Sequence, residues 1–210
     1  MIAKIAIVGG GNLFEQLLPE IKKSDFFIGV DRGAAWLLTR GIRPDIAIGD
    51  FDSVTKKELS RIRRLVKIVM IHPAEKDFID MELAAIEAIK RKPKEVVIYG
   101  GIGTRLDHTL GTVQLLEHFL NAGISARLVD DHNDICLVSG KRVLEKGVFR
   151  YVSVLPFTQD VTVSLQNFLY NVRKIMIHRG MTLGISNEFT GRTGIIDVHK
   201  GIALAIQSKD

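Results

Sequence analysis

The stretch Asp45-Ile46-Ala47-Ile48-Gly49-Asp50-Phe51-Asp52-Ser53 decides how the rest of the chain is read. Asp45 to Ile48 predicts a short buried strand, so Asp50 and Asp52 fall where that strand ends. Successive side chains of an extended backbone alternate faces, so the two carboxylates are expected to point one way while Phe51 turns into the core. Carboxylates so placed repel each other unless a cation lies between them. Oxygen ligands suit Mg2+, which is held by one or two carboxylates together with phosphate oxygens of a substrate. An acidic surface turn is the plainer reading of an isolated Asp-x-Asp. Gly49 permits a tight backbone approach, and Ser53 is expected to cap a helix that starts near Thr55.

Toward the N-terminus, Ile5-Ala6-Ile7-Val8 is an apolar run ended by Gly9-Gly10-Gly11-Asn12, and a helical pattern follows through Leu13, Leu17, Leu18 and Ile21. Strand, glycine turn and helix open doubly wound folds, and such a turn cradles phosphate. Its spacing matches neither the dinucleotide fingerprint nor a Walker A loop, and Gly-Lys-Ser/Thr occurs nowhere. Phe26–Val30 predicts the next strand, ending at Asp31-Arg32-Gly33-Ala34, with a helix from Ala34 to about Arg40.

Toward the C-terminus, a helix is expected from Thr55 to about Arg64 and a strand over Lys67–Ile71. Pro73-Ala74-Glu75-Lys76-Asp77-Phe78-Ile79-Asp80 opens a helix through Leu83, Ile86 and Ile89. The strand Glu95–Tyr99 runs into Gly100-Gly101-Ile102-Gly103-Thr104-Arg105-Leu106-Asp107-His108. A helix through Leu110, Val113, Leu116 and Leu120 and a strand at Ala126–Val129 complete an α/β domain with a largely parallel sheet, over residues 1–134. From 135 to 210 the pattern changes to short β-rich runs, at Ile135–Val138, Arg150–Leu155, Val161–Leu165, Arg173–Ile177, Gly194–Val198 and Ile202–Ile206. Turn residues punctuate them, which predicts an antiparallel β-sandwich or barrel.

Composition narrows the function classes. The 210 residues carry 29 Lys and Arg against 24 Asp and Glu, a net charge of +5. That mild excess suits an anionic ligand and falls short of a nucleic-acid signature. The basic runs around Lys56, Arg63 and Lys90 read as solvated helix faces, and aromatic residues do not interleave with them. Cys136 is the single cysteine, so neither a disulfide framework nor a thiolate metal cluster is expected, and its apolar neighbours make it a core residue. No run approaches the roughly 18 apolar residues of a membrane span. The expectation is a soluble cytoplasmic protein without a nucleic-acid or membrane partner.

Ligands of open α/β sheets bind at the carboxyl ends of the strands. Asp31, Asp50 with Asp52, Asp77 with Asp80, and Arg105 with Asp107 all follow strands, and their convergence favours a metal–phosphate site. Lys76 and Arg105 would neutralise phosphate oxygens there, Arg105 as a bidentate fork. Singly, Asp77 and Asp80 also fit helix-start carboxylates, and Asp107 an N-cap.

In order and spacing, Asp31-x-Gly33-Ala34, Gly49-Asp50-Phe51-Asp52-Ser53, Lys76-Asp77-x-x-Asp80 and Gly100-x-x-Gly103-x-Arg105-x-Asp107-His108 resemble the thiamine pyrophosphokinase family of the bacterial type. The second half adds Gly180-Met181-Thr182-Leu183-Gly184-Ile185-Ser186-Asn187-Glu188-Phe189 and Gly201. The resemblance implies an α/β catalytic domain, a C-terminal β-sandwich that binds thiamine, and a homodimer. It implies transfer of pyrophosphate from ATP to thiamine, giving thiamine diphosphate and AMP. By position, Asp50, Asp52 and Asp80 would hold Mg2+, and Asp107 would join them in catalysis. Asp31, Lys76, Asp77, Arg105, Asp107 and His108 would serve the nucleotide, and Ser186 and Asn187 thiamine. Without the resemblance, Ser186-Asn187-Glu188 reads as a β-turn. The chain departs from the family at Ile79, where Thr is usual, at Thr104, which replaces a Gly, and at Asn171, where Pro is common. Residues alone also fit a metal-dependent phosphohydrolase with Asp50 as nucleophile, or a nucleotide- or thiamine-binding regulator.

Overall fold

Ile5, Ala6, Ile7 and Val8 are fully shielded from water on β1 (Lys4–Val8), the strand around which the first half assembles. The structure is a computed structural model, and it describes residues 2–72 and 79–210. The chain divides into two compact units, Met1–Asp131 and His132–Asp210.

In the first unit β1 is flanked by β2 (Phe26–Val30), then β3 (Ile46–Gly49) and β4 (Ile68–Ile71) on one side, and by β5 (Glu95–Tyr99) and β6 (Ser125–Val129) on the other. Every pairing among these six is parallel. Parallel strands need crossovers, supplied here by α2 (Arg32–Thr39), α3 (Lys56–Leu65), α4 (Asp80–Lys90) and α5 (Leu106–Asn121). Strands covered on both faces read as continuous apolar runs rather than alternations, which is how β1, β3 and β5 look in the sequence.

Three local expectations are corrected. The helix expected from Leu13 to Ile21 is a 3-10 turn (Glu15–Leu17) followed by the short α1 (Leu18–Ile21), because Pro19 has no N–H to continue a helix and so marks a start. The α3 cap is Thr55, not Ser53. Thr55 Oγ1 accepts the Glu58 N–H at 3.2 Å, and Glu58 reaches back to the Thr55 N–H at 2.8 Å, closing a capping box. The backbone after β3 is not extended, since Phe51 has φ +59°. The helix start expected at Pro73 lies outside the described residues.

The second unit is antiparallel and sandwich-like. Its strands are β7 (Asn133–Glu145), β8 (Tyr151–Pro156), β9 (Asp160–Gln166), β10 (Val172–His178), β11 (Asn187–Glu188) and β12 (Thr193–Ser208). β12 pairs with β7 along most of its length, with β9 through its first half and with β8 through its second. The two runs expected as separate strands, Gly194–Val198 and Ile202–Ile206, are one strand with a register shift between Val198 and Ala203, where Gly201 has φ +80°. β7 continues past Val138 because Lys141 to Glu145 alternate with the buried Leu144 as a half-exposed strand. The core joins Val138, Val154, Val163, Phe168, Phe189 and Ile196, with Cys136 buried among them.

Candidate functional site

β1 is followed in sequence by a strand on one side while β5 lies on its other side, so the order of strands reverses between them. Crevices at such switch points, beyond the carboxyl ends of the strands, are where ligands of open α/β sheets bind. Here two glycine turns form that rim. Gly9 N–H donates to the Tyr99 carbonyl at 2.8 Å, Gly11 N–H to Gly100 at 2.9 Å and Asn12 N–H to Ile102 at 2.7 Å. A Cβ on Gly11 would lie 2.4 Å from the Ile102 carbonyl oxygen, so only glycine lets the turns approach this closely. A cavity of about 540 Å³ opens over them, lined in part by Asp31, Asp52, Asp80, Arg105 and His108.

Acidic side chains meet beside it. Asp31, Asp50 and Asp80 each offer a carboxylate oxygen, and these oxygens lie within 4.8 Å of one another. Asp31 follows β2 with φ +46°, a left-handed conformation uncommon for a residue with a side chain. Its Oδ1 accepts the Phe51 N–H at 3.1 Å. That carboxylate occupies the space beside Gly49, where a Cβ would lie 1.7 Å from Asp31 Oδ1 and φ is +152°. Phe51 is buried among Ala34, Leu38, Ala47 and Ile62, so the loop is pinned by its apolar residue while its acids face outward. Asp50 Oδ1 accepts the Asp52 N–H at 3.0 Å, and Asp52 itself lines the crevice. Asp80 is the first residue of α4.

The electrostatics follow from this crowding. Loss of water is the largest cause pushing the Asp31 carboxyl up to about 6. The Phe51 N–H works against the rise, and the charges of Asp80, Asp50 and Asp52 add to it. Three carboxylate oxygens at this separation, with a fourth acid beside them, are a donor set that fits a hard divalent cation.

The other residues singled out from the sequence are placed as follows. The Arg105 fork is engaged by Asp107, with Nη2 to Oδ2 at 2.6 Å and Nε to Oδ1 at 3.2 Å, on the exposed start of α5. The pairing raises Arg105 and lowers Asp107 through that hydrogen bond. Asp107 is therefore not the cap, a position held by Arg105 without a side-chain bond. His108 lines the crevice. Lys76 and Asp77 lie outside the described residues. Ile79 is the N-cap of α4 and makes no capping bond, and Thr104 lines the crevice.

In the second unit Ser186 is exposed with φ +59°, and its N–H donates to Ser153 Oγ at 3.1 Å. Asn187 is 5% exposed, and its amide is spent on backbone. Nδ2 donates to the Tyr170 carbonyl at 2.8 Å, and Oδ1 accepts the N–H groups of Tyr170 and Glu188. At Asn171 the contact is made by the side chain, whose Oδ1 accepts the Phe168 N–H at 3.1 Å.

Arg32 went unnoticed in the sequence. It donates from Nη2 to the Gly10 carbonyl at 2.7 Å and lines both the crevice and a second cavity beside it. Its position directly after the strand-ending Asp31 was the available signal.

Comparisons with known proteins agree with this layout. The family model "Thiamin pyrophosphokinase, catalytic domain" matches residues 17–128, and "Thiamin pyrophosphokinase, vitamin B1 binding domain" matches residues 141–203. Thiamine pyrophosphokinase of Bacillus subtilis is 38% identical over 211 residues, covering 98% of this chain and 99% of the relative. A crystal structure of thiamine pyrophosphokinase from Bacillus subtilis superposes with a TM-score of 0.91 at 37% identity over 99% of both chains. The thiamin pyrophosphokinase structure from Geobacillus thermodenitrificans does so with a TM-score of 0.87 at 33% identity, over 99% of this chain and 98% of that one.

Proposed function

The chain belongs to the thiamin pyrophosphokinase family, and on that premise we propose that it transfers the pyrophosphoryl group of ATP to the hydroxyl of thiamine, giving thiamine diphosphate and AMP. The single observation that carries the reading beyond family membership is the meeting of Asp31, Asp50 and Asp80 at the switch-point crevice. We assign ATP binding and catalysis to residues 1–134 and thiamine binding to residues 135–210.

Asp50, Asp52 and Asp80 are assigned to Mg2+, with Asp31 beside them. The close approach of the Asp31, Asp50 and Asp80 oxygens supports a cation there, and Asp52 is included because it lines the same crevice. Bound Mg2+ supplies charge neutralisation and alignment of phosphate oxygens. The protein's own part is largely positional. The glycine turns, locked to each other by backbone bonds, bring a low wall to the polyphosphate. Arg32, held at the Gly10 carbonyl, adds a fixed positive charge. Arg105 becomes available to phosphate by exchanging Asp107 for it, as both are exposed and their pairing in water is weak. Asp77, Lys76, Asp107 and His108 complete the nucleotide side of the proposal. In-line attack by the thiamine hydroxyl needs the acceptor held close, which positioning alone accelerates greatly.

Thiamine is assigned to Ser186 and to the loop that Asn187 holds. A homodimer is part of the proposal, supported by the exposed Leu169, Tyr170, Met181, Leu183 and Ile185 of the second unit, apolar side chains that a partner surface would cover. Among the described residues no helix is long and apolar enough to cross a membrane, and we place the reaction in the cytoplasm. Incubation with ATP, thiamine and Mg2+ tests the reading. Thiamine diphosphate is the expected product, and phosphate release without any thiamine product would contradict it.

A further inference from the structure

The turn that carries Ser186, between β10 and β11, is held against β8. The Val154 N–H donates to the Gly184 carbonyl at 2.8 Å, and the Ser186 N–H donates to Ser153 Oγ at 3.1 Å. Asn187 then pairs with Val152 as β11 begins. A Cβ on Gly184 would lie 2.1 Å from the Val154 carbonyl oxygen, so the turn lies this close to β8 only because 184 is glycine. We propose that Ser153 is a positioning residue for the acceptor substrate. Its buried hydroxyl holds the Ser186 backbone, and so sets the direction in which the Ser186 hydroxyl is presented to thiamine. The inference rests on the assignment of Ser186 to thiamine and adds to it the residue that keeps Ser186 in place.

Side chains of β8 alternate between its faces, and Val152 and Val154 belong to the apolar core, so Ser153 faces the other way. It is nonetheless only 8% exposed. A hydroxyl buried there is costly unless it makes a hydrogen bond, and the bond it makes is to a residue of unusual backbone. Ser186 has φ +59°, a left-handed conformation that costs free energy for any residue with a side chain. The Ile185 N–H, donating to the Thr182 carbonyl at 3.2 Å, closes the turn that leads into it, and the Ser153 bond holds Ser186 itself. Glycine would take the same angle without that cost, so the serine keeps a hydroxyl at the expense of strain. That hydroxyl is on an exposed residue and has no partner among the described residues. Strain maintained by surrounding bonds, with a free polar group at its tip, fits a ligand contact held ready better than a turn that only joins two strands.

The test titrates thiamine and MgATP separately into the full chain by calorimetry, for the wild type, Ser153→Ala, Ser153→Cys, Ser186→Ala and the double variant Ser153→Ala with Ser186→Ala. Ser153→Ala should weaken thiamine about fivefold, the scale of one lost hydrogen bond, and leave MgATP within about twofold. Ser153→Cys keeps a weak acceptor of similar shape and should fall between, and it decides the matter if the alanine variant does not fold. Because Ser153 acts through Ser186, the double variant should bind thiamine within about twofold of Ser186→Ala alone. Effects that multiply in the double variant, or that fall on MgATP equally, would assign Ser153 to general support of the fold and overturn the proposal. Wild-type thiamine affinity in Ser153→Ala would overturn it as well. Failure of the underlying assignment looks different, since Ser186→Ala would then bind thiamine as the wild type does, and both readings would fall together.

Discussion

Asn187 holds the backbone of Tyr170 at both of its hydrogen-bonding groups, donating from Nδ2 to the carbonyl at 2.8 Å and accepting the N–H on Oδ1 at 2.9 Å. A side-chain amide that mimics a strand in this way stitches the 168–171 loop to the start of β11. With Oδ1 and one Nδ2 hydrogen committed to backbone, the proposed effect of Asn187 on thiamine would pass through the Tyr170 backbone and the neighbouring Ser186.

Asn187→Ala should therefore destabilise the fold by about 1–3 kcal/mol, the cost of leaving part-buried backbone groups without partners. Asn187→Asp should fall between, because a carboxylate still accepts the Tyr170 N–H but cannot donate to its carbonyl. Urea unfolding measures both. In turnover, Ser186→Ala should raise the thiamine KM and leave that for ATP unchanged, and a selective ATP defect would move this turn away from thiamine.

Ile79 sits at the N-cap of α4, where an isoleucine has no oxygen to offer the first N–H groups of the helix. Three residues on stands Glu82, so Ile79→Thr recreates the Thr-x-x-Glu arrangement that Thr55 and Glu58 form on α3. The substitution should stabilise the protein by about 1 kcal/mol, read as a higher urea midpoint at unchanged slope. A lower midpoint would mean that the isoleucine side chain contributes more by packing than the cap would.

Much of this architecture is legible in the sequence. The apolar runs at Ile5–Val8, Phe26–Val30 and Glu95–Tyr99 are continuous because parallel strands are covered on both faces, and the acids follow them because strand ends line the crevice. What the sequence hid depends on backbone angles. Asp31 and Phe51 both take positive φ without being glycine, and no residue pattern announces that. An extended reading pairs Asp50 with Asp52, and the turned backbone also brings Asp50 close to Asp31 and Asp80. In the second unit, the runs Gly194–Val198 and Ile202–Ile206 read as two strands and are one, with Gly201 at the irregularity between them. The engagement of Arg105 with Asp107 was hidden by their closeness in sequence, which suits a phosphate clamp and an ion pair equally.

Asp50→Asn and Asp80→Asn should each lower kcat on the order of 100-fold, as loss of a group that organises charge in an active site commonly does. Asp52→Asn, which faces the same crevice, should also remove most turnover. Each variant should stay folded, and in chelator the first two should melt no lower than the wild type, because removing one of three crowded carboxylates relieves repulsion. Near wild-type activity at saturating Mg2+ in any of the three would displace the metal assignment.

The Asp31 carboxyl carries a pH signature. Its folded value, about 6, lies above the ordinary value of 3.8, so the folded state binds this proton more tightly than the unfolded chain does. The resulting stability is fully present below pH 3.8 and is lost as pH rises through about 6. In chelator, the melting temperature of Asp31→Asn should match the wild type near pH 4 and exceed it by pH 7, and added Mg2+ should shrink the gap. A gap independent of pH would mean that the carboxyl ionises without cost.

Attack on the β-phosphorus of ATP is what separates pyrophosphoryl from phosphoryl transfer, and 31P NMR of one reaction mixture distinguishes them. With ATP, thiamine and Mg2+, AMP and thiamine diphosphate should rise together, one for one. ADP appearing with thiamine monophosphate would mean transfer of the γ-phosphoryl group and would contradict it.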